Sequence, residues 1–332
     1  MKSKILVLGA SSFAGSSFIS LSIKTGVFKK IVGVYNTYVP ITFSQMQNQK
    51  QTNLRLIKIN FSKDAKKLIK IIETFKPEQI IDFSSICMVA ESWQMPEKYF
   101  SYNIQSKIPL LKVLTKFKFI KKYIYISTPE VFGNTKNKSL KEKNTNYNPS
   151  TPYALSKLSF EMLLQTYLKN FDLPIIITRF SNFYGPYQPL HRLIPKLNYC
   201  INQKMKFPLQ GDGKSKRNFI YIDDFFSGLL SVLKKGKKGK IYHFSGKELW
   251  SVNKIIELIC KQKKVTISKI IKRTNDRKGK DPIYKLSCSE TMKELNWRPK
   301  VSIKKGVLKT LNFYDRNPHL LNKNSMNYKF NK

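Results

Sequence analysis

A chain of 332 residues with 41% hydrophobic content can fill the core of one large α/β domain, or of a main domain with a smaller lobe. Its 61 Lys and Arg against 20 Asp and Glu give a formal charge of +41, but the excess is nearly all lysine spread along the whole chain and arginine is scarce, so no specific nucleic-acid partner is expected. No run of eighteen apolar residues exists, and Met1, Lys2, Ser3 and Lys4 lead into a strand pattern rather than a leader, so the expectation is a soluble, cytoplasmic protein without a membrane partner.

Residues 5–8 form a continuous apolar run of the kind found in a strand buried on both faces. Gly9, Ala10, Ser11, Ser12, Phe13, Ala14 and Gly15 follow, then a helical stretch to about residue 25. Strand, glycine turn and helix is the context in which a dinucleotide pyrophosphate sits at a helix N-terminus. Ser12 stands where a middle glycine is usual, a small residue that costs some closeness of approach. The second strand, residues 30–35, ends at Asn36, beside the expected adenosine ribose. With no Arg there, NAD is favoured and NADP stays open.

The alternation continues with strands at 54–59, 79–83 and 123–127 and helices at 64–75 and 97–117. Right-handed crossovers then give a doubly wound parallel Rossmann sheet, an α/β fold over residues 1–180. Ser127, Thr128, Pro129 and Glu130 fall at the carboxyl end of a strand, where such sheets bind ligands. Residues 133–149, rich in Asn and Lys without apolar period, read as a loop acting as a lid. Thr151 and Pro152 are an N-cap and first-turn pair for a helix to 170. Tyr153 and Lys157 leave that helix on one face, one turn apart, and a nearby ammonium favours the phenolate of a tyrosine acting as a base. The spacing alone is common; Tyr328 and Lys332 repeat it near the C-terminus.

After a strand at 173–180, residues 181–316 read mainly as a smaller C-terminal substrate lobe with segments returning to the first domain. Helices are expected at 224–234 and 251–263, and residues 317–332 have no periodicity and read as a disordered tail. Cys87, Cys200, Cys260 and Cys288 are widely separated and take no ligand spacing with His191, His243 or His319, so neither disulfides nor a metal is implied.

Taken in order, the Gly9–Gly15 turn, Ser127 to Gly133, Tyr153 with Lys157, Arg179 to Pro186, Gly211, Asp212 and Gly213 with Arg217, Tyr221 to Asp224, and Leu295 to Pro299 resemble the extended short-chain dehydrogenase/reductases of the nucleotide-sugar epimerase and dehydratase group. Within that group the pattern is most like that of dTDP-glucose 4,6-dehydratases. The resemblance implies a bound NAD and a sugar-nucleotide substrate. It implies a catalytic set of Thr128, Tyr153 and Lys157, with Thr128 on the sugar 4-hydroxyl. It places the cofactor against Gly9, Ser11, Ser12, Phe13, Gly15, Asn36, Asn60, Ser84, Asn103, Tyr153 and Lys157, and the substrate against Asn182, Gln188, Leu193, Arg217 and Asp281. It also implies a homodimer built on the helices at 97–117 and 153–170.

Glu130 separates the candidate reactions. A 4,6-dehydratase needs a carboxylate to remove the C5 proton once C4 is a ketone, and Glu130 fits that base; a 4-epimerase does not need one. Pro129 stands where these dehydratases usually carry an Asp that protonates the departing C6 hydroxyl, and proline cannot donate a proton. The expected function is therefore an NAD-dependent nucleotide-sugar 4,6-dehydratase, with a 4-epimerase or a noncatalytic NAD(P)-binding protein as alternatives.

Overall fold

The computed structural model describes residues 3–36, 53–136 and 138–321. Six strands, β1 (Lys4–Leu8), β2 (Lys30–Tyr35), β3 (Leu54–Lys58), β4 (Gln79–Asp82), β5 (Lys122–Ser127) and β6 (Ile175–Phe180), lie in one sheet. The chain then leaves it for β7 (Asn182–Tyr184), β8 (Phe207–Gln210) and β9 (Lys216–Tyr221), and returns with β10 (Ile241–Phe244) at the edge. The sheet order is β10-β6-β5-β4-β1-β2-β3 and every pairing is parallel. The direction of winding reverses between β1 and β4, so the crevice at their carboxyl ends is the switch point where ligands bind.

Parallel strands covered by helices on both faces must be apolar throughout, and successive residues serve opposite faces. Ile5 and Val7 pack with Phe18, Ile81 and Ile124, whereas Leu6 and Leu8 pack with Val34, Ile80 and Tyr123. Each such side chain, fully buried, contributes about 1.5–3 kcal/mol. The lobe carries its own pairings: β9 lies parallel to β7 and to β13 (Ile283–Tyr284) and antiparallel to β11 (Leu249–Ser251), and β8 pairs with β12 (Ile271–Thr274).

Two expectations need correction. The helix predicted over 97–117 is broken into Pro96–Asn103, a 3-10 turn Gln105–Lys107 and Ile108–Lys116. Ile104 leaves helical geometry at φ −124° and ψ −69°, Pro109 opens the second helix, and Lys107 turns inward to Asp82. At the C-terminus, Pro318–Leu320 forms a short 3-10 turn and Leu321 is buried with Leu190, Tyr199 and Tyr314, because apolar side chains continue past the point where periodicity stops. The rest of the predicted tail, with Tyr328 and Lys332, lies outside the described residues.

Candidate active site

The glycine turn follows β1 directly. Gly9 has φ +75°, and a Cβ there would fall 2.7 Å from the backbone of Phe83 and Ser84; one on Gly15 would fall 2.4 Å from the Gly9 carbonyl. Backbone approach, not side-chain chemistry, therefore fixes both glycines. Ser12 is the N-cap of the helix Phe13–Thr25: its Oγ accepts from the Gly15 N–H at 3.0 Å and donates to the Gly9 carbonyl at 2.8 Å. The hydroxyl thus closes the turn that a middle glycine would leave open. No acidic residue occupies the first turn, so the positive end of the helix faces the crevice without a competing charge.

The other candidate cofactor residues differ in what they are free to do. Ser11 and Phe13 line the same turn, half-buried, and Phe13 stacks on Phe183 at 5.6 Å. Asn36 ends β2 and donates to the Tyr102 hydroxyl at 3.0 Å. Asn60 folds its own loop: its side-chain Oδ1 accepts from the Ser62 N–H and its backbone N–H donates to Asp64. Ser84 bonds Asp82 through both N–H and hydroxyl. Asn103 is fully buried, its amide bridging Ile86 and the Ser156 hydroxyl, so it shapes the segment after β4 from behind.

At the end of β5, Thr128 caps the 3-10 turn Pro129–Phe132, accepting from the Glu130 N–H at 3.2 Å, and this turn holds the Glu130 carboxyl at the crevice. Thr151 caps the helix Pro152–Asn170 by accepting from Ala154 N–H at 3.1 Å, and Tyr153 in its first turn packs against Tyr99, Ile86 and Val89. The structure thus brings Thr128, Glu130 and Tyr153 together: the Thr128 hydroxyl bonds the phenol and the Glu130 carboxylate acts on it electrostatically.

The expected effect of Lys157 on Tyr153 is not what the structure gives. Burial and the neighbouring Glu130 carboxylate push the Tyr153 phenol well above its ordinary range. The Lys157 ammonium is turned away to Ser85 Oγ at 2.8 Å and the Ile126 carbonyl at 2.7 Å, over the Tyr125 ring. Burial, with Lys107 nearby, brings Lys157 itself down to about 7. Glu130 is raised by burial, while Arg277, Arg217 and Arg192 act to keep it charged and Asp281 opposes them. A carboxylate whose proton affinity is raised is a better base than one in water.

On the lobe side, Asn182 accepts from the Tyr284 hydroxyl at 2.8 Å, Gln188 donates to the Phe183 carbonyl at 3.3 Å, and Leu193 opens the helix Leu193–Asn202. Arg217 is 5% exposed; its guanidinium lies 4.0 Å over the Tyr284 ring and donates to the carbonyls of Lys216, Asp281 and Pro282. Asp281 accepts from Ser150 Oγ at 2.9 Å, tying the lobe to the start of the Tyr153 helix, and burial raises it. Sequence reasoning missed Arg192 and Arg277, whose charges act on the Glu130 carboxylate from loops outside any motif, as well as Ser85. The inward turn of Lys107 had a signal, Pro109 two residues on.

Residues 133–136 and 138–149 are irregular, as expected, but they are fastened rather than hinged. Thr135 N–H donates to the Ile283 carbonyl, Leu140 N–H to Lys285, and Ser287 N–H back to Leu140. Glu142 accepts from both the N–H and the hydroxyl of Thr291. Tyr147 stacks on Phe132 at 5.5 Å and bonds Arg179, which is held in a fully buried ion pair with Glu161. Several of these ties run through main-chain groups, which is why the side-chain composition resembled that of a free loop.

An all-parallel sheet with a glycine turn at its switch point, and a Tyr-x-x-x-Lys helix beside it, is the arrangement of an extended short-chain dehydrogenase/reductase. The family described as GDP-mannose 4,6 dehydratase matches residues 6–310, and the chain belongs to it. A dTDP-D-glucose 4,6-dehydratase of Homo sapiens is 33% identical over 254 residues, 75% of this chain and 72% of that protein. One of Dictyostelium discoideum is 31% identical over 360 residues, 95% and 82% of the two chains. Among solved structures, dTDP-glucose 4,6-dehydratase from Bacillus anthracis in complex with NAD superposes with a TM-score of 0.87 at 27% identity, covering 96% of this chain and 98% of that one. UDP-glucuronic acid 4-epimerase from Bacillus cereus, in complex with UDP-glucuronic acid and NAD, gives 0.85 at 26%, covering 95% and 99%.

Proposed function

We propose that this protein is an NAD-dependent nucleotide-sugar 4,6-dehydratase, and the observation that carries the reading is Glu130, a partly buried carboxylate held beside Tyr153 by the turn that Thr128 caps. The residues suit the cofactor: a pyrophosphate would lie over Gly9 and Gly15, where a Cβ is sterically forbidden, at a helix N-terminus without acidic neighbours. Ser127 and Ser181, at or just past the ends of β5 and β6, each bury a hydroxyl oxygen with no partner among the described residues, as polar groups awaiting a ligand do. NAD supplies the oxidant at C4 of the sugar and the reductant at C6.

The chain's own residues divide the remaining work. Thr128 holds the 4-hydroxyl oxygen, and Tyr153, acting as the phenolate that burial and Glu130 make costly, takes its proton as C4 becomes a carbonyl. Lys157, held by Ser85 and the Ile126 carbonyl, would turn its remaining hydrogen to the ribose of the cofactor. Glu130 then takes the C5 proton, which the C4 carbonyl has made acidic, and the C6 hydroxyl departs as water. Since Pro129 carries no proton, Glu130, newly protonated, delivers that proton to the C6 hydroxyl, so acid and base are one residue, and a solvent-derived proton returns to C5 as C6 is reduced. Arg217, Arg192 and Arg277 face the diphosphate from the lobe. Asn182, Gln188, Leu193 and Asp281 complete the wall around the nucleotide sugar.

Incubating the protein and NAD with nucleotide-linked sugars, beginning with dTDP-glucose, is expected to give a product lighter by one water. Unchanged mass with inversion at C4 would instead support a 4-epimerase, and loss of carbon dioxide from a uronic acid a decarboxylase. No product despite bound cofactor would leave a noncatalytic NAD(P)-binding protein.

The reading includes a cytoplasmic homodimer. In its support, Leu155 and Met162 lie seven residues apart on one exposed face of the Pro152–Asn170 helix, at 44% and 54% exposure, and no cysteine among the described residues forms a disulfide. Light scattering is expected to report twice the 38.7 kDa chain mass, and a variant carrying Leu155→Lys and Met162→Lys is expected to report the single mass.

A further inference from the structure

A second cluster of ionisable groups lies directly beneath the site and takes no part in the steps above. Asp82 ends β4 at the switch point and is fully buried; Lys107, 3% exposed, is turned inward from the break between two helices and places its ammonium 2.6 Å from Asp82 Oδ2. Tyr123 donates to the same carboxylate oxygen at 2.8 Å, and the other oxygen takes the Ser84 N–H at 2.8 Å. Lys107 also donates to Ser84 Oγ at 3.0 Å. Ser84 is the residue whose backbone nitrogen blocks any Cβ on Gly9, so the pair holds the wall against which the glycine turn closes. A buried ion pair of this kind brings little net stability, because desolvating two charges offsets most of their attraction, so its role lies outside stability.

The rings between the two lysines supply that role. Lys107 Nζ lies 5.3 Å from the Tyr125 ring centroid and 5.6 Å from that of Phe160, and Lys157 Nζ lies 4.2 Å from the same Tyr125 ring. Two buried ammonium groups thus share one aromatic side chain in a low-dielectric setting, where like charges act strongly on each other.

We propose that Lys107 and Asp82 are a positioning pair for the cofactor end of the site: they fix Ser84 against the glycine turn and set the charge that Lys157 carries. This rests on the reading of Lys157 as the lysine that faces the cofactor ribose. The charged and ionisable groups around Lys157 are Lys107 from the helix break, Asp82 from β4, Cys87 from the segment after it, Tyr125 from β5, and Tyr153 and Glu161 from its own helix. Lys107, which shares the Tyr125 ring with Lys157, acts against a proton there more strongly than Asp82 acts for it. Lys157 has acceptors at Ser85 and Ile126 for two of its hydrogens, and only the protonated amine has a third for a ribose oxygen. Burial, with the pair adding to it, therefore places the alkaline limit of the oxidation step near neutrality.

The test is an NMR titration of the Lys157 side chain in the protein without cofactor, its resonance identified by its loss in Lys157→Met. The double variant Asp82→Asn with Lys107→Met removes both charges, and Lys107→Gln removes the cation while still donating to Asp82. Each is expected to titrate at least about half a pH unit higher than the wild type, and Lys107→Arg to titrate with it. The alkaline limb of single-turnover cofactor reduction is expected to move by the same amount. A titration coincident with the wild type in either charge-removing variant that folds overturns the proposal. Because the titration needs no substrate, it is read separately from the functional reading, which fails instead if no nucleotide sugar reduces the bound cofactor at any pH.

Discussion

Glu130→Gln is expected to stop water loss while sparing the oxidation that precedes it. Glutamine keeps the size of the side chain and its place on the Pro129–Phe132 turn but removes the base, so elimination should fall on the order of a hundredfold or more. The Glu130 carboxylate is also one of the groups that make the Tyr153 phenol hard to ionise, second to burial. Removing that negative charge lowers the cost of ionising Tyr153, so the first proton transfer should not slow. The near-ultraviolet absorbance of reduced nicotinamide should then build up when substrate is added, where the wild type shows little. In heavy water the wild-type product should carry deuterium at C5, since the original C5 hydrogen leaves with the water and a solvent-derived one replaces it as C6 is reduced. Turnover of Glu130→Gln equal to the wild type, or a product without deuterium at C5, would defeat the dehydratase reading and promote the epimerase.

Tyr153→Phe should abolish both halves of the reaction together. The ring that packs on Tyr99, Ile86 and Val89 is kept, so the fold and cofactor binding should persist; only the hydroxyl beside Thr128 is lost. Without it nothing takes the 4-hydroxyl proton, and turnover should drop by about a hundredfold or more, with no accumulation of reduced cofactor. That silence separates it from Glu130→Gln in one absorbance trace. Activity near the wild-type level would remove Tyr153 from the mechanism.

The large sheet was legible because its signals are local. A strand buried on both faces must be an apolar run, and residues 5–8, 30–35 and 123–127 are such runs. Caps were legible for the same reason: Thr151 with Pro152 marks a helix start whatever lies around it, and the Thr151 side chain bonds Ala154. The break at Ile104 was not, since residues 97–117 keep a helical period and what interrupts them is the ion pair of Lys107 with a strand residue 25 positions earlier. Within the site, spacing put Tyr153 and Lys157 on one face but not their head groups together; Ser85 and the Ile126 carbonyl decide where the ammonium goes. Arg192 and Arg277 escaped notice because an arginine in an irregular segment carries no period, and only the folded lobe shows which carboxylate it faces.

The stitching of residues 133–149 to residues 283–291 fixes an order of manufacture. A chain leaving the ribosome presents its glycine turn, Thr128, Glu130, Tyr153 and Lys157 in its first half, all on strands and helices that the Rossmann sheet supplies. The carbonyls that hold Arg217 belong to Asp281 and Pro282, and the acceptors for Thr135 and Leu140 to Ile283 and Lys285. Until those late residues emerge, the nascent protein carries the side chains proposed for the reaction but lacks the wall that would shelter a ketone, so chemistry and enclosure are completed together.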